Sequence, residues 1–309
     1  MSSIKLLAAG IMVTFAFSIP SWAISDRLTV VASVFPLFDI TREVAGSDAD
    51  VRVLLPPGVD PHSWEPKPSD ILELSRSDIF LYTSDSMEPW AGGIAGAVAG
   101  NDVLIVPVMD NLGFPHAEPR HGSGSSQEED YGHGEDPHFW LDLLLSERTV
   151  KMVEDLLIRK DPANRNRYVA NAGTYAERLH QLDMAFMSGL KECASRLLVT
   201  GGHAAFGHLT RRYGLKQISV YGLNPDSEPT PRHLAGIISE MKKYNVRTIF
   251  SEELMNPRMA EVISQETGAR VMVLNPGGNL TAAQWREGLT FLEIMNRNLE
   301  ILREGLDCE

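Results

Sequence analysis

Two α/β lobes, each built on a four-stranded parallel sheet flanked by helices and joined by one long rigid helix, are what this 309-residue sequence predicts. Three observations carry that expectation. Short β-branched runs alternate with helical patterns, the arrangement that parallel α/β sheets require. The eight runs fall into two groups of four, and between the groups one helical stretch continues unbroken over 162–192.

Taken in order, the chain begins with Lys5, an apolar run over 6–19, Pro20 and the small-x-small site Ser21-Trp22-Ala23. This pattern reads as a cleavable secretory signal over 1–23, cut after Ala23. The run is too short for the roughly 20 apolar residues of a membrane span. No Cys stands immediately after the cleavage site, so a soluble periplasmic protein is expected rather than a lipid-anchored one. The first lobe then occupies 24–160, with strands at 28–33, 51–55, 79–83 and 103–106. Within it, 110–137 is rich in Gly, Ser, Pro and acids and reads as a mobile surface loop. It carries His116, His121 and His133, which either catch metal near a mouth and pass it inward or belong to a solvated linker.

A linker over 161–193 follows. It opens with Asp161-Pro162, as a helix start should, has no proline inside, and spaces Tyr168, Tyr175, Leu179, Leu182 and Phe186 on one face. Some 30 residues at 1.5 Å each reach about 45 Å, enough to brace both lobes and limit hinge motion. The second lobe, 194–309, has strands at 197–200, 217–220, 248–251 and 270–274, with helices expected at 204–213 and 231–244.

The formal charge is −13, and removing the signal takes away only the one positive charge of Lys5, giving −14. A nucleic-acid binder needs clustered cations, so that class is excluded. An acidic surface suits cations but serves solubility equally well. The two cysteines, Cys193 and Cys308, can pair in an oxidising compartment and staple the C-terminal helix; free thiols or a metal role remain open.

Three histidines each follow a predicted strand: His62 in GVDPHSWEP, His138 in EDPHFWLD and His203 in LLVTGGHAAFGH. Imidazole is the commonest neutral metal ligand and strand ends in open sheets are where ligands gather, so one shared metal pocket is expected. Asp60 is near enough to orient the His62 imidazole. The repeated Asp-Pro-His triplet, at 60–62 and 136–138, strengthens both members. His208, five residues beyond His203, falls off the ideal i, i+4 face and is expected to support the site or be exposed rather than bind. His180 and His233 read as surface or capping residues.

The motifs GVDPHSWEPKPSD, DPHFWLD, HAAFGHLTRRYGL, PTPRHLAGI, TIFSEE and VMVLNPGGNL together resemble the solute-binding proteins of ABC transporters for zinc and manganese, a group that includes related streptococcal adhesins. The resemblance covers essentially the whole mature chain. It implies high-affinity periplasmic capture of one divalent ion in a cleft between two lobes, with His62, His138 and His203 as ligands, and delivery to an ABC permease in the inner membrane. A histidine at 203 favours Zn²⁺, since carboxylates suit Mn²⁺; an Mn²⁺ or Fe²⁺ receptor is the alternative. A periplasmic metallochaperone is a further candidate partner, no nucleic acid is expected, and the chain is expected to be a monomer.

There are departures from the family pattern. Asn275 stands where the family has a fourth ligand, Asp, so it is expected to bind weakly or through water, with Glu252 or water completing the tetrahedron. Ala204 and His208 replace a common Asp and Tyr. Three histidines and a water also describe catalytic zinc, but neither H-E-x-x-H nor G-x-S-x-G occurs and Glu252 is the only nominee for a base, so no enzyme is expected. A receptor for an organic ligand would need a wide aromatic or Arg-lined cleft instead.

Overall fold

The structure, a computed structural model, describes residues 27–98, 102–113, 136–224 and 229–309. The expected signal segment and the loop histidines His116, His121 and His133 lie outside these residues. No helix among the described residues is long and apolar enough to cross a membrane.

In the first lobe β1 (Leu28–Ala32), α1 (Phe35–Ala45), β2 (Ala49–Val53), α2 (Pro68–Leu74), β3 (Ile79–Tyr82), α3 (Ala91–Val98), β4 (Leu104–Pro107), α4 (Val108–Asn111) and α5 (Leu143–Lys160) follow one another. After the connecting α6 (Arg165–Gly189) come β5 (Leu197–Thr200), α7 (Gly207–Arg212), β6 (Lys216–Ser219), α8 (Pro231–Lys243) and β7 (Thr248–Glu252). The second lobe closes with α9 (Arg258–Thr267), β8 (Arg270–Leu274), α10 (Ala282–Glu287) and α11 (Phe291–Gly305). Every strand starts and ends within two residues of its predicted bounds.

Both sheets are wholly parallel and share one order, β2-β1-β3-β4 and β6-β5-β7-β8. Each has its topological switch at its first strand, the place where ligands bind beyond the carboxyl ends of strands. The inner strands β3 and β7 are buried along their full length. Sheets covered on both faces bury such strands completely; β3 accordingly reads as an unbroken apolar run, whereas β7 also buries Thr248, Ser251 and Glu252.

The linker helix is shorter than the expected 161–193. A 3₁₀ turn at Pro162–Asn164 precedes α6, whose 25 residues span about 37 Å. Its buried stripe is Tyr168, Ala172, Tyr175, Leu179, Leu182, Asp183 and Phe186, the face its spacing predicted. That stripe belongs to one apolar cluster running from Val30 in the first sheet to Phe250 and Leu274 in the second. Asp183 at the far end of α6 takes a two-pronged contact from Arg212 and a hydrogen bond from the Tyr213 hydroxyl, both in the second lobe.

A second seam joins the lobes at 276–280. There Trp140 Nε1 donates to Pro276 O (2.8 Å), Phe35 N to Gly278 O (3.2 Å) and Gly58 N to Leu280 O (2.7 Å). Asn279 Nδ2 reaches back to Pro56 O and Val59 O, both at 2.8 Å. Cys193 and Cys308 are bonded as a disulfide that fastens the residues after α11 beside the start of β5, which closes the free-thiol and metal alternatives.

Two expected boundaries change. The segment 110–137 is ordered where it is described: Asp110 lies in α4, and Asp136 and Pro137 are packed at the centre of the molecule rather than on a surface loop. The helix expected at 204–213 begins only at Gly207. The Ala204 N–H is taken by Gly222 O and the Ala205 N–H by His203 O, which holds 203–206 in turns.

Candidate metal site

The two Asp-Pro-His triplets fold by the same local device. In each, the aspartate carboxylate accepts the backbone N–H of the histidine two residues on, Asp60 Oδ1 from His62 N at 2.8 Å and Asp136 Oδ1 from His138 N at 3.1 Å. Such Asx turns, with proline fixing the intervening φ, aim the histidine away from the turn. The Asp60 carboxylate thus holds the backbone of His62, not the ring as the sequence suggested. Asp136 holds both, because its Oδ1 also accepts from His138 Nδ1 at 2.9 Å. With Nδ1 carrying the proton, Nε2 of His138 presents its lone pair.

His203 follows β5 through Gly201 and Gly202. Glu252, the last residue of β7, accepts the His203 backbone N–H on Oε1 at 2.7 Å and lies with Oε2 2.8 Å from Nδ1. This second contact is an ion-pair approach without the alignment of a full hydrogen bond. A Cβ at Gly202 would collide with the Glu252 carboxylate, so the glycine there is what lets Glu252 reach the ring.

These supports bring three Nε2 atoms together: His62 to His138 at 3.3 Å, His62 to His203 at 3.2 Å and His138 to His203 at 3.1 Å. Nitrogens bound to a tetrahedral zinc at about 2.0–2.1 Å sit about 3.3–3.4 Å apart, so the triangle is one face of such a site. Among the described residues this is the cluster of His, Cys, Asp and Glu groups able to hold a metal ion. His138 and His203 are buried and His62 half-buried.

The electrostatics divide the three rings. Burial, and then the neighbouring His138 and His203, bring the pKa of His62 down to about 2. Burial likewise lowers His138, against the pull of Asp136. For His203 burial is the largest influence and lowers the pKa, but the Glu252 carboxylate beside the ring, with more distant Asp60 and Asp136, outweighs it and the net shift is upward. Asp136, despite burial, is held below the usual carboxylate range by His138 and His208.

A cavity of about 30 Å³ opens on the triangle, walled by Met87, Trp140, Leu254, Met255, Pro276 and Gly278 among others. Asn275 lines it, but its amide is engaged elsewhere: Nδ2 donates to Glu253 Oε2 (2.7 Å) and Oδ1 accepts from Gly277 N (2.7 Å). Glu252 is turned to His203 through both oxygens. The expected supporting residue His208 is buried, its Nε2 2.9 Å from Asp136 O. His180 lies exposed on α6, 3.5 Å from Glu147, and His233 sits in the first turn of α8, where its N–H is capped by Thr230. Sequence reasoning missed Asp136 as the partner of His138, although the triplet repeat that singled out Asp60 applies to it equally. It also missed Trp140, whose ring packs edge-on to His138 at 5.4 Å.

Comparison with known proteins adds a family to this geometry. Residues 30–305 match the family model described as ZnuA, zinc-uptake complex component A, periplasmic. The high-affinity zinc uptake system protein ZnuA of Bacillus subtilis (strain 168) is 33% identical over 282 residues, 91% of this chain and 88% of that protein. Zinc-binding protein AdcA of Streptococcus pyogenes is 33% identical over 291 residues, where this chain spans only 56% of its relative's length. Among solved structures, the Zn(II)-bound ZnuA-like domain of Streptococcus pneumoniae AdcA superposes with a TM-score of 0.75 at 30% identity, over 91% of this chain and 99% of that one. A mutant of the laminin-binding adhesin of Streptococcus agalactiae gives 0.78 at 32%, over 90% and 99%. With the family model matched across both lobes and through every histidine of the triangle, the chain belongs to the ZnuA family of zinc-uptake components.

Proposed function

We propose that this chain captures one Zn²⁺ in the periplasm on His62, His138 and His203 and delivers it to an ABC permease for import. The observation that carries the reading is the triangle of Nε2 atoms at 3.1–3.3 Å. Neutral imidazoles favour zinc over manganese, which prefers hard oxygen donors. An ion on this face has its fourth corner toward the cavity, where water completes the tetrahedron while the Asn275 amide stays bound to Glu253 and Gly277.

The arrangement suits capture with release. Two ligands belong to the first lobe and one to the second, so a slight parting of the lobes withdraws His203 and weakens the hold sharply. Asp136 and Glu252 keep the rings aimed while the site is empty, which lowers the ordering cost of binding. The braced linker and the seam at 276–280 support a small motion rather than wide hinge opening.

A hydrolase is disfavoured because its one nominated base, Glu252, is committed to His203 by both oxygens. A receptor for an organic ligand is disfavoured by a cavity of about 30 Å³, against roughly 300–1,000 Å³ for such ligands. Export by a signal over 1–23 with cleavage after Ala23, domains at 24–160, 161–193 and 194–309, a monomeric state, and metal hand-over by His116, His121 and His133 complete the proposal. The deciding experiment is metal content and affinity of the mature protein purified without added metal. One equivalent of zinc, bound tightly and without turnover of ester or amide substrates, is expected; no zinc binding overturns the reading.

A further inference from the structure

We infer that His208 is a cross-lobe positioning residue that clamps the site shut, joining the ligand of one lobe to that of the other by a path that does not run through the ion. The inference rests on the zinc-capture reading. His208 lies in α7 of the second lobe, on the segment that begins with His203, and its Nε2 is 2.9 Å from the backbone oxygen of Asp136 in the first lobe. A carbonyl only accepts, so Nε2 carries the proton and donates. Asp136 in turn fixes His138 through its carboxylate, at the ring Nδ1 and at the backbone N–H.

Two further observations place the contact as a built one. A Cβ on Gly207, immediately before His208, would come within 2.5 Å of Asp136 Oδ2, so a glycine there is the condition for this close approach of α7 to the first lobe. The Asp136 carboxylate also faces His208 Nε2 at 3.8 Å and Arg211 at 4.0 Å, so the second lobe presents two basic side chains to it. His208 itself is buried at 8% side-chain exposure and Asp136 at 11%, which shields the contact from competing water.

The clamp has a defined consequence. Separating the lobes to release the ion must break the His208 to Asp136 hydrogen bond along with the His203 to metal bond. Without the donor, the 136–138 turn loses its anchor to α7 and the His138 ring loses a fixed aim. Groups that orient metal-bound histidines are worth about 10–100-fold in affinity.

The test uses the mature full-length protein. His208→Leu removes the donor at similar bulk, and His208→Gln restores an amide N–H near the Nε2 position. Zinc dissociation is followed with a chelating dye, and the visible spectrum of the Co²⁺-loaded protein reports ligand geometry. The expected result is release at least about tenfold faster in His208→Leu with an altered Co²⁺ spectrum, and both restored to near wild type in His208→Gln. Should His208→Leu not fold, Gly207→Ala takes its place, expected to speed release because it displaces Asp136. Wild-type release and spectrum in whichever of these folds, or failure of the Gln variant to rescue, overturns the clamp. Absence of zinc binding by the wild type would instead overturn the capture reading beneath it.

Discussion

Glu252 grips His203 at two points, accepting its backbone N–H at 2.7 Å and standing 2.8 Å from its Nδ1, although the two residues are 49 positions apart in the chain. This grip sets both the aim and the charge of the one imidazole that the second lobe brings to the triangle.

Glu252→Gln keeps the shape and removes the charge. Zinc affinity is expected to fall by about 10–100-fold with the fold retained, measured by competition against a chromophoric chelator. Unchanged affinity would show that the carboxylate does not tune the ligand.

The unequal rings set the pH dependence. Because His62 and His138 are held below 6.5 and His203 above it, the metal-free protein near pH 6.5 carries its site proton on His203. Zinc must displace that proton, so affinity should fall about tenfold per pH unit below the His203 pKa, as for one proton rather than three. Calorimetry in buffers of different ionisation enthalpy is expected to count about one proton released there. Stability of the metal-free protein falls in the same direction through the lowered pair. Below 6.5 the unfolded chain takes up protons that His62 and His138 refuse when folded, so their contribution is lost as pH falls from 6.5 toward their folded values. Three protons released would contradict this division.

Asn279→Ala removes two hydrogen bonds across the seam, taking the amide donor from Val59 O and leaving Pro56 O with only the longer bond from the Val59 N–H. A loss of about 2–4 kcal/mol is expected in denaturant unfolding. A loss below about 0.5 kcal/mol would mean that water replaces the amide and the seam is not a fixed joint.

Asn275→Asp sets a second carboxylate against Glu253, where an amide now donates at 2.7 Å. The metal-free variant is expected to melt lower than the wild type, and zinc to raise its melting temperature by more, since the cation relieves the repulsion. An equal zinc-induced rise in both proteins counts against any influence of position 275 on the ion.

Much of this was legible in the chain because buried parallel strands such as β3, Ile79–Tyr82, and β5, Leu197–Thr200, write themselves as short apolar and β-branched runs, while the more exposed β2, β6 and β8 keep enough β-branched residues to stand out between helical patterns. The stripe from Tyr168 to Phe186 was legible for the same reason at helical period. The Asp-Pro-His turns are local, so their histidines stood out. What the sequence hid is tertiary. Glu252 was recognisable as an acid near the site, but its commitment to His203 depends on β7 lying beside β5 and on Gly202 lacking a side chain. The late start of α7 follows from Gly222 claiming the Ala204 N–H. Asn275 read as a weak ligand because its bonds to Glu253 and Gly277 appear only once the turn after β8 has formed.

Ownership of the three imidazoles is split two to one between halves of the same sheet order. A break in the linker that let the halves drift apart would leave one fragment with a pair of donors and the other with a single one, neither a competent chelator. Because the seam at 276–280 and the shared apolar core also hold the halves together, a single cut in the linker is expected to leave the three donors assembled until those contacts part as well.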